Sequence, residues 1–207
     1  IGLVGSEMCI RDRRNGESLT YSWNIGMGTN FTSLFAYYLA SPSNWFVALF
    51  PQKYTIEIMN AFIILKIAGS SLSLTYYLTK HNNNKHVIAA IFGMFYGMSG
   101  FIAAYSWNIM WLDCVILIPL IMLGLERLVN ENRCIFYCIT LGLCIFTNYY
   151  IAIMVCLSVV IYYVVLMIAY NGIKSPMQYV KKFINFCVYS LPVSYTHLRA
   201  HETDQYL

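Results

Sequence analysis

Long apolar runs separated by short polar segments fill most of the chain after residue 55. A helix rises about 1.5 Å per residue, so about 20 apolar residues are needed to cross the ~30 Å hydrocarbon core of a bilayer. Four of the runs meet that length within the tolerance of the rule, and we predict a transmembrane helix for each. A sixth run begins near Phe183. The first five are Ile56–Thr79, Val87–Tyr105, Asp113–Val129, Cys134–Thr147 and Tyr150–Tyr170.

The fourth run, Cys134–Thr147, is too short to cross alone. The polar segment Thr147–Tyr150 interrupts what would otherwise be one very long helix. A break at membrane depth is tolerated only where its polar groups meet water or protein. We therefore predict that Asn148 lines a water-filled cavity that opens outward. The alternative is a plain loop between a short tilted helix and its successor.

Basic residues mark every second segment between the runs, and the segments 106–112 and 147–150 contain no Lys or Arg. By the positive-inside rule, loops 80–86, 130–133 and 171–182 are predicted to be cytoplasmic. The same alternation places 14–55 and 106–112 outside. The basic residues concerned are Lys80, Lys85, Arg127, Arg133, Lys174, Lys181 and Lys182.

The external segment 14–55 contains two short apolar stretches that cannot span a membrane. Phe31–Ala40 is followed by Pro42, and Trp45–Phe50 is followed by Pro51. Aromatic and apolar stretches of this length are typical of helices that lie in the membrane interface. We predict two such interfacial helices in this external loop.

The composition agrees with a membrane protein. Hydrophobic residues make up 59% of the chain, charged residues only 11%, and the mean hydropathy is +0.58. Soluble domains carry roughly 25% charged residues. The formal net charge is +4, and the basic residues lie in short loops, which argues against nucleic acid as a partner. The predicted fold is an all-α integral membrane protein, a multi-span helical bundle with short interfacial helices in an external loop.

The seven cysteines do not indicate a metal site or a disulfide framework. Cys134 and Cys138 are four residues apart, but no His, Asp or third Cys joins them. Cysteine inside an apolar run behaves as a small hydrophobic residue. No cofactor is evident, and a divalent metal, although chemically possible, has no support in the sequence.

Both ends of the chain differ in composition from the middle. Segments 1–13 and 192–207 resemble peptides obtained when sequencing-adapter DNA is translated, and we expect them to be non-native. His197 and His201 are then not candidate ligands. The native part is expected to be about Arg14–Leu191, an internal piece of a longer protein. It would comprise the external loop 14–55 and a transmembrane region, 56–191, with about five spans and the start of a sixth.

Two charged residues near the membrane are candidates for chemistry. Lys66 lies in the middle of the first span, where a lysine costs about 2.5–3.5 kcal/mol, so we expect an anionic phosphate or a carboxylate beside it. Asp113 begins the third run. It is interpreted either as a base facing the outer mouth or as a helix N-cap. Glu126 and Glu131 are predicted to be solvated at the cytoplasmic edge.

The aromatic segment Ala104–Asp113 predicts an outward-facing hairpin. Tryptophan and tyrosine collect where a bilayer meets water, because the ring prefers the headgroup region and its polar hydrogen still needs a partner. We predict that this hairpin and the Asn148 break together form the outer wall of a substrate site. Its predicted binding residues are Lys66, Trp107, Asn108, Asn148, Tyr149 and Tyr150.

The ordered blocks of the chain resemble the YfhO family of bacterial membrane proteins. The resemblance implies a GT-C-type glycosyltransferase that takes a sugar from a polyprenyl-phosphate donor on the outer face of the cell membrane. It implies a cell-envelope polymer of the teichoic-acid type as acceptor. The blocks that carry it are Gly26–Asn30, Phe35–Pro42, Leu65–Ile67, Ser99–Phe101, Tyr105–Asp113, Leu123–Leu128 and Thr147–Tyr150.

The resemblance also implies that the main catalytic acid lies upstream of Arg14, in the first part of the external loop. The chain alone is therefore expected to be inactive, with Asp113 as a secondary candidate for the acid. The alternative function is a polytopic lipid or solute transporter, because broken helices at midplane depth are typical of transporters too.

Overall fold

The structure is a computed structural model that describes residues 21–22, 29–30, 54–82, 86–169 and 176–203. The predicted interfacial helices at 31–40 and 45–50, and the basic residues Lys85 and Lys174, lie outside the described residues. The side chains of Tyr149 and of most residues after Ser190 also lie outside them.

The described residues form seven helices and one short strand pair. Strand β1 (Tyr21–Ser22) pairs antiparallel with β2 (Thr29–Asn30), which brings Tyr21 opposite Asn30. The helices are α1 (Thr55–His81), α2 (His86–Gly97), α3 (Gly100–Tyr105), α4 (Ile109–Glu131), α5 (Ile135–Thr147), α6 (Tyr149–Ala169) and α7 (Pro176–Thr203).

The predicted spans are confirmed by length and composition. Four helical segments are long and apolar enough to cross a membrane: Ile56–His81, His86–Tyr105, Ile109–Glu131 and Tyr150–Ala169. The helix Ile135–Thr147 is confirmed as too short to cross a membrane. It ends where the break was predicted, and Asn148, the next residue, has an extended backbone. The boundary predicted at Leu191 falls inside α7.

The second span differs from the prediction of one uninterrupted run. It consists of α2 and α3, which are separated at Met98 and Ser99, and Ser99 has extended backbone angles (φ −63°, ψ 152°). Gly97 and Gly100 flank this break. Glycine has a low helix propensity, so the helix is weakest where two glycines lie close together.

Helix α4 forms the centre of the bundle, in contact with α1, α5 and α6. In its most apolar stretch 61% of the residues are buried, against 22% in α1. The main core cluster joins one face of α4 to α5, α6 and α7, and it includes Leu125, Tyr137, Leu141, Val155 and Phe186.

Two glycines allow neighbouring helices to approach closely. A Cβ atom on Gly124 of α4 would lie 2.8 Å from the Cα atom of Tyr137 in α5. A Cβ atom on Gly93 of α2 would lie 2.6 Å from the carbonyl oxygen of Ser71 in α1. No real side chain fits at these distances, so glycine is required at both helix crossings. Small residues at helix interfaces are typical of membrane bundles.

A proline within α4 is compensated by a tyrosine from α2. Pro119 has no N–H, so the carbonyl group of Val115, four residues earlier, loses its partner within the helix. The Tyr96 hydroxyl donates a hydrogen bond to this carbonyl oxygen at 2.8 Å. An unpaired carbonyl in an apolar interior is costly. The Tyr96 hydroxyl therefore both pairs with the carbonyl group that Pro119 leaves free and attaches α2 to α4.

Contacts between the helices fix their relative directions. Lys66 of α1 contacts Asp113 of α4, and Tyr77, further along α1, contacts Glu126, further along α4. The two helices therefore run in parallel. Helix α5 runs the opposite way, because its end, at Thr147, meets Cys114 near the start of α4. This agrees with the alternation of inside and outside predicted from the charges.

Tyr96→Phe should destabilise the bundle by about 1–3 kcal/mol, because it leaves the Val115 carbonyl unpaired. Pro119→Ala restores an N–H for that carbonyl. In the Pro119→Ala background, Tyr96→Phe should therefore cost much less. Equilibrium unfolding of the four proteins of this double-mutant cycle in detergent micelles measures the coupling. Equal costs in the two backgrounds would show that the Tyr96 hydroxyl does not compensate for Pro119.

Cysteine labelling should confirm the predicted sidedness. Trp107→Cys and Asn82→Cys, each made in a background from which the seven cysteines of the chain have been removed, place a thiol at an exposed position on opposite ends of the bundle. In intact cells an impermeant maleimide should react with the first variant only. The second should react after permeabilisation. Labelling of Asn82→Cys from outside would show that the orientation is the reverse of the predicted one.

Candidate functional site

The lysine predicted to need an anionic partner has one. The Lys66 ammonium nitrogen lies 2.9 Å from Oδ2 of Asp113 and 3.0 Å from the carbonyl oxygen of Ile109. Ile109 and Asp113 are four residues apart, so they lie on one face of α4 and both reach the same cation. The carboxylate of the two predicted alternatives is therefore the partner that the structure shows for Lys66.

This ion pair is buried deep in the bundle. The Lys66 side chain is only 4% exposed, and Asp113 is largely covered. Lys66 lies eleven residues from the start of α1, roughly 16 Å along the helix axis. Removing one member of a buried pair costs about 3–5 kcal/mol, because the other charge stays without compensation. The pair therefore holds α1 and α4 in one register.

The alternative that Asp113 caps a helix is wrong. Helix α4 begins at Ile109, and the N-cap position belongs to Asn108, whose side chain makes no capping hydrogen bond. Asp113 lies in the second turn, where its carboxylate faces Lys66. Cys114, the next residue, points about 100° away around the helix and contacts Thr147 at 3.4 Å. Asp113 and the helix break at Asn148 thus lie on different faces of the same turn of α4.

Asn148 confirms the predicted helix break but not the predicted water. Its backbone is extended (φ −160°, ψ 111°), and its Oδ1 accepts a hydrogen bond from the Ile151 N–H at 3.0 Å, which caps the start of α6. The side chain is fully buried, so the prediction that it lines a water-filled cavity is wrong. Its Nδ2 finds no acceptor among the described residues.

A row of aromatic rings lies at the same end of the bundle as the break. The indole of Trp111 stacks on the ring of Tyr150, with centroids 6.3 Å apart, and on the ring of Phe101, at 6.5 Å. Tyr105 tilts against the indole at 5.5 Å. We call these four residues the aromatic row. Its two ends are partly exposed, whereas the indole N–H of Trp111 is buried without an acceptor among the described residues.

The predicted binding residues do not all join this row. Tyr150 belongs to it, whereas Trp107 is 63% exposed and donates its indole N–H to the Ala104 carbonyl at 3.0 Å. Asn108 is buried at the turn before α4. The Tyr149 side chain lies outside the described residues. Sequence reasoning missed the central place of Trp111, although the aromatic hairpin that contains it was the signal.

Glu126 was predicted to be solvated at the cytoplasmic edge, and this is wrong. It is 8% exposed and accepts hydrogen bonds from two tyrosines on two other helices. Glu131 does lie at an exposed edge, where it pairs with Arg133 at 3.4 Å. Leu125, Leu128 and Val129 are all buried around Glu126, which explains the difference.

Within the described ranges, no group of three or more His, Cys, Asp or Glu side chains is placed to hold a metal ion. The buried charges at this end of the bundle are instead one cation and one carboxylate, in contact with each other. Such a pair can bind an anion only if that anion replaces the carboxylate at Lys66.

One comparison with known proteins gave a match. A family model described as "Bacterial membrane protein YfhO" matches residues 11–196, which is most of the chain. Comparison with the curated proteins gave no match, and comparison with the solved structures gave none either.

Lys66→Met should destabilise the fold by about 3–5 kcal/mol, because it leaves Asp113 buried and unpaired. The double variant Lys66→Met/Asp113→Leu replaces both charges by apolar groups and should recover most of that loss. Equilibrium unfolding in micelles compares the two variants, with Glu131→Gln as an exposed control. If Lys66→Met alone has wild-type stability, the ion pair does not contribute to the fold.

Proposed function

Because this chain belongs to the YfhO family of bacterial membrane proteins, we propose that it is part of a membrane glycosyltransferase. The enzyme would transfer a sugar from a polyprenyl-phosphate donor to a cell-envelope polymer of the teichoic-acid type. The reaction would take place on the outer face of the cell membrane. The transmembrane helices would cross that same membrane.

The observation that carries this proposal is the buried pair of Lys66 and Asp113. A lipid-linked phosphate that enters from the outer leaflet would offer Lys66 an anion in place of Asp113. Lys66 would exchange one anionic partner for another and would not be left unpaired, so the exchange would cost less than burying a phosphate beside neutral groups. Asp113, once released, would be a carboxylate next to the donor.

The chemistry would be displacement at the anomeric carbon of the sugar. The bond from that carbon to the phosphate oxygen breaks, and a bond to the acceptor hydroxyl oxygen forms. The hydroxyl proton passes to a carboxylate acting as general base. Asp113 would be the secondary candidate for this base, because the resemblance to GT-C enzymes implies that the main acid is another residue of the full-length protein. The electron pair of the broken bond leaves with the phosphate, whose charge Lys66 would stabilise.

The aromatic row supports the same proposal. Flat rings at the membrane interface offer faces to the apolar side of a sugar or to an isoprenoid chain. Tyr150 and Phe101 are both partly exposed, on either side of Trp111. Trp107, exposed at the same end, would complete the proposed substrate wall, with Tyr149 assigned to it by sequence alone, whereas the buried Asn108 and Asn148 would not face the substrate.

A transporter is the second candidate function, and the helix breaks favour it. The helical backbone is interrupted at Ser99, within the second span, and at Asn148, between α5 and α6. Such interruptions bind and release substrates in many transporters. A transporter would move the lipid or solute across the bilayer and leave the sugar on its carrier.

The test is a transfer assay with the full-length parent protein in liposomes and a radiolabelled polyprenyl-phosphate sugar. Asp113→Asn keeps a hydrogen-bond acceptor for Lys66 but frees its charge, so the KM for the donor should stay the same or fall. Lys66→Met/Asp113→Asn removes both charges, and that KM should rise about 10- to 100-fold, as for the loss of a charge-assisted hydrogen bond. Glu131→Gln is the matched control and should behave like wild type.

Two results would contradict the proposal. If Lys66→Met/Asp113→Asn keeps the wild-type KM, Lys66 has a structural role only. If the label crosses the membrane without transfer to any acceptor, the protein is a transporter.

A further inference from the structure

Helix α3 (Gly100–Tyr105), the last part of the second span, is attached to the bundle by little buried surface. Five of its six residues are exposed, and Ile102 is the buried one. Among the described residues, no hydrogen bond or ion pair joins α3 to another helix. Its aromatic rings, Phe101 and Tyr105, contact Trp111 but stay exposed. Segments with few buried contacts open at the lowest cost, so α3 is the helix that moves most easily.

The break before α3 has one fixed side and one free side. On the fixed side, a Cβ atom on Gly97 would overlap the Ser71 hydroxyl of α1, and the Tyr96 hydroxyl is hydrogen-bonded to the backbone of α4. On the free side, a Cβ atom on Gly100 would meet no other atom within 4 Å. Ser99, between the two glycines, is extended. The chain can therefore rotate at Ser99 while α2 stays in place, as a hinge requires.

The side chain of Ile102, which is 2% exposed, lies against the two helices that carry the buried ion pair. It packs with Leu112 of α4, and Ile67 of α1 contacts the same apolar cluster. Leu112 directly precedes Asp113, and Ile67 directly follows Lys66. Adjacent residues lie about 100° apart around a helix, so the apolar cluster and the ion pair occupy neighbouring faces at the same depth. Ile102 therefore covers the ion pair from the side of α3.

A second apolar cluster covers the ion pair toward the end of the bundle. Met59 of α1 and Ile109 of α4 are buried there, with Phe62 packed against them. These residues lie on the same long helices as the two charges, so they cannot move away unless the charges move too. Ile102 lies on a short helix with a break before it and a turn at 106–108 after it. Of the two covers, only α3 can be displaced while the ion pair stays in place.

We propose that α3 is a gate, closed by Ile102, through which an anionic group reaches Lys66 from the adjoining leaflet of the membrane. The structure describes the closed state. In the open state α3 rotates at Ser99, and Ile102 leaves the cluster between α1 and α4. The exposed residues of α3 are glycine, alanine and aromatic residues, so the gate opens into lipid and the anion that it admits is attached to a lipid. That this anion is the polyprenyl-phosphate donor rests on the proposed function, whereas the gate itself does not.

The aromatic row favours such opening. In the closed state the indole N–H of Trp111 is buried and has no acceptor among the described residues. A buried donor without an acceptor costs free energy. Opening of α3 removes the rings of Phe101 and Tyr105 from the indole, so the N–H can reach water or a lipid headgroup. This gain offsets part of the cost of uncovering Ile102, so the open state is accessible.

Thiol reactivity of the full chain in liposomes measures opening of the gate without any donor. Val115→Cys, in a chain from which the seven cysteines have been removed, places a thiol in the cluster that Ile102 covers. The matched control retains Cys114 alone, the adjacent residue, which is fully buried and faces α5. Uncharged N-ethylmaleimide should react with Val115→Cys at least about tenfold faster than with Cys114, because local opening of α3 uncovers only the first thiol.

Gly100→Pro should hold the gate closed. Proline suits the first position of a helix and requires an extended residue before it, which Ser99 already is (φ −63°, ψ 152°). The restricted backbone should slow the reaction of Val115→Cys about 2- to 5-fold and leave that of Cys114 unchanged. Gly100→Ala, a milder restriction in open space, should act in the same direction and serves if the proline variant does not fold.

The gate is overturned if Val115→Cys reacts no faster than Cys114. It is also overturned if both Gly100 variants fold like wild type and leave the rate of Val115→Cys unchanged. In the full-length parent protein, Gly100→Pro should raise the KM for the polyprenyl-phosphate donor by the factor by which it slows the thiol reaction, because only the open state admits the donor. A slowed thiol reaction with an unchanged KM would contradict the donor as the admitted anion and leave the gate standing.

Discussion

The bundle depends on one constraint: a polar group among apolar helices must find its partner inside the protein. Helix α4 supplies most of these partners. Its Asp113 neutralises Lys66 of α1, its Val115 carbonyl accepts from Tyr96 of α2, and its Glu126 accepts from tyrosines of α1 and α6. Hydrophobic burial drives little helix association in a bilayer, because lipid is as apolar as the side chains. Directional polar contacts and close packing at glycines therefore fix the arrangement of the helices, which explains why α4 is the most buried span.

The predictions from sequence succeed where one segment determines its own behaviour. Length and hydropathy identified the spans, and Asn148 marked the real break after a helix too short to cross. The need of Lys66 for an anion also followed from its own surroundings. Sequence could not show that Asp113 is that anion, because the two residues are 47 positions apart and meet only through the packing of α1 on α4.

The errors concern polar side chains whose hydrogen-bond partners were not predicted. Asp113 looked like a helix start because the apolar run begins there, but α4 begins four residues earlier at Ile109. Glu126 looked solvated because Arg127 follows it, yet Tyr77 and Tyr162 reach it from two distant segments. Asn148 was expected in water, whereas its side-chain Oδ1 atom accepts a hydrogen bond from the Ile151 N–H and caps α6 inside the core. Asp113 and Glu126 find their partners on other helices, whereas the Oδ1 atom of Asn148 finds its partner three residues later, at Ile151.

The two polar sites differ in chemistry but share two helices. Both sites bridge α1 and α4, and Pro119 lies between Asp113 and Glu126 along α4. Helix α1 has no proline over the same stretch, so it is the stiffer of the two. If an anion replaced Asp113 at Lys66, the bridge near the aromatic row would open, while the hydrogen bonds of Tyr77 and Tyr162 to Glu126 would still hold the other end. The two helices would then separate about those contacts. These buried contacts would therefore limit how far an exchange at Lys66 can move the two helices, which links the two ends of the bundle through ordinary helix packing.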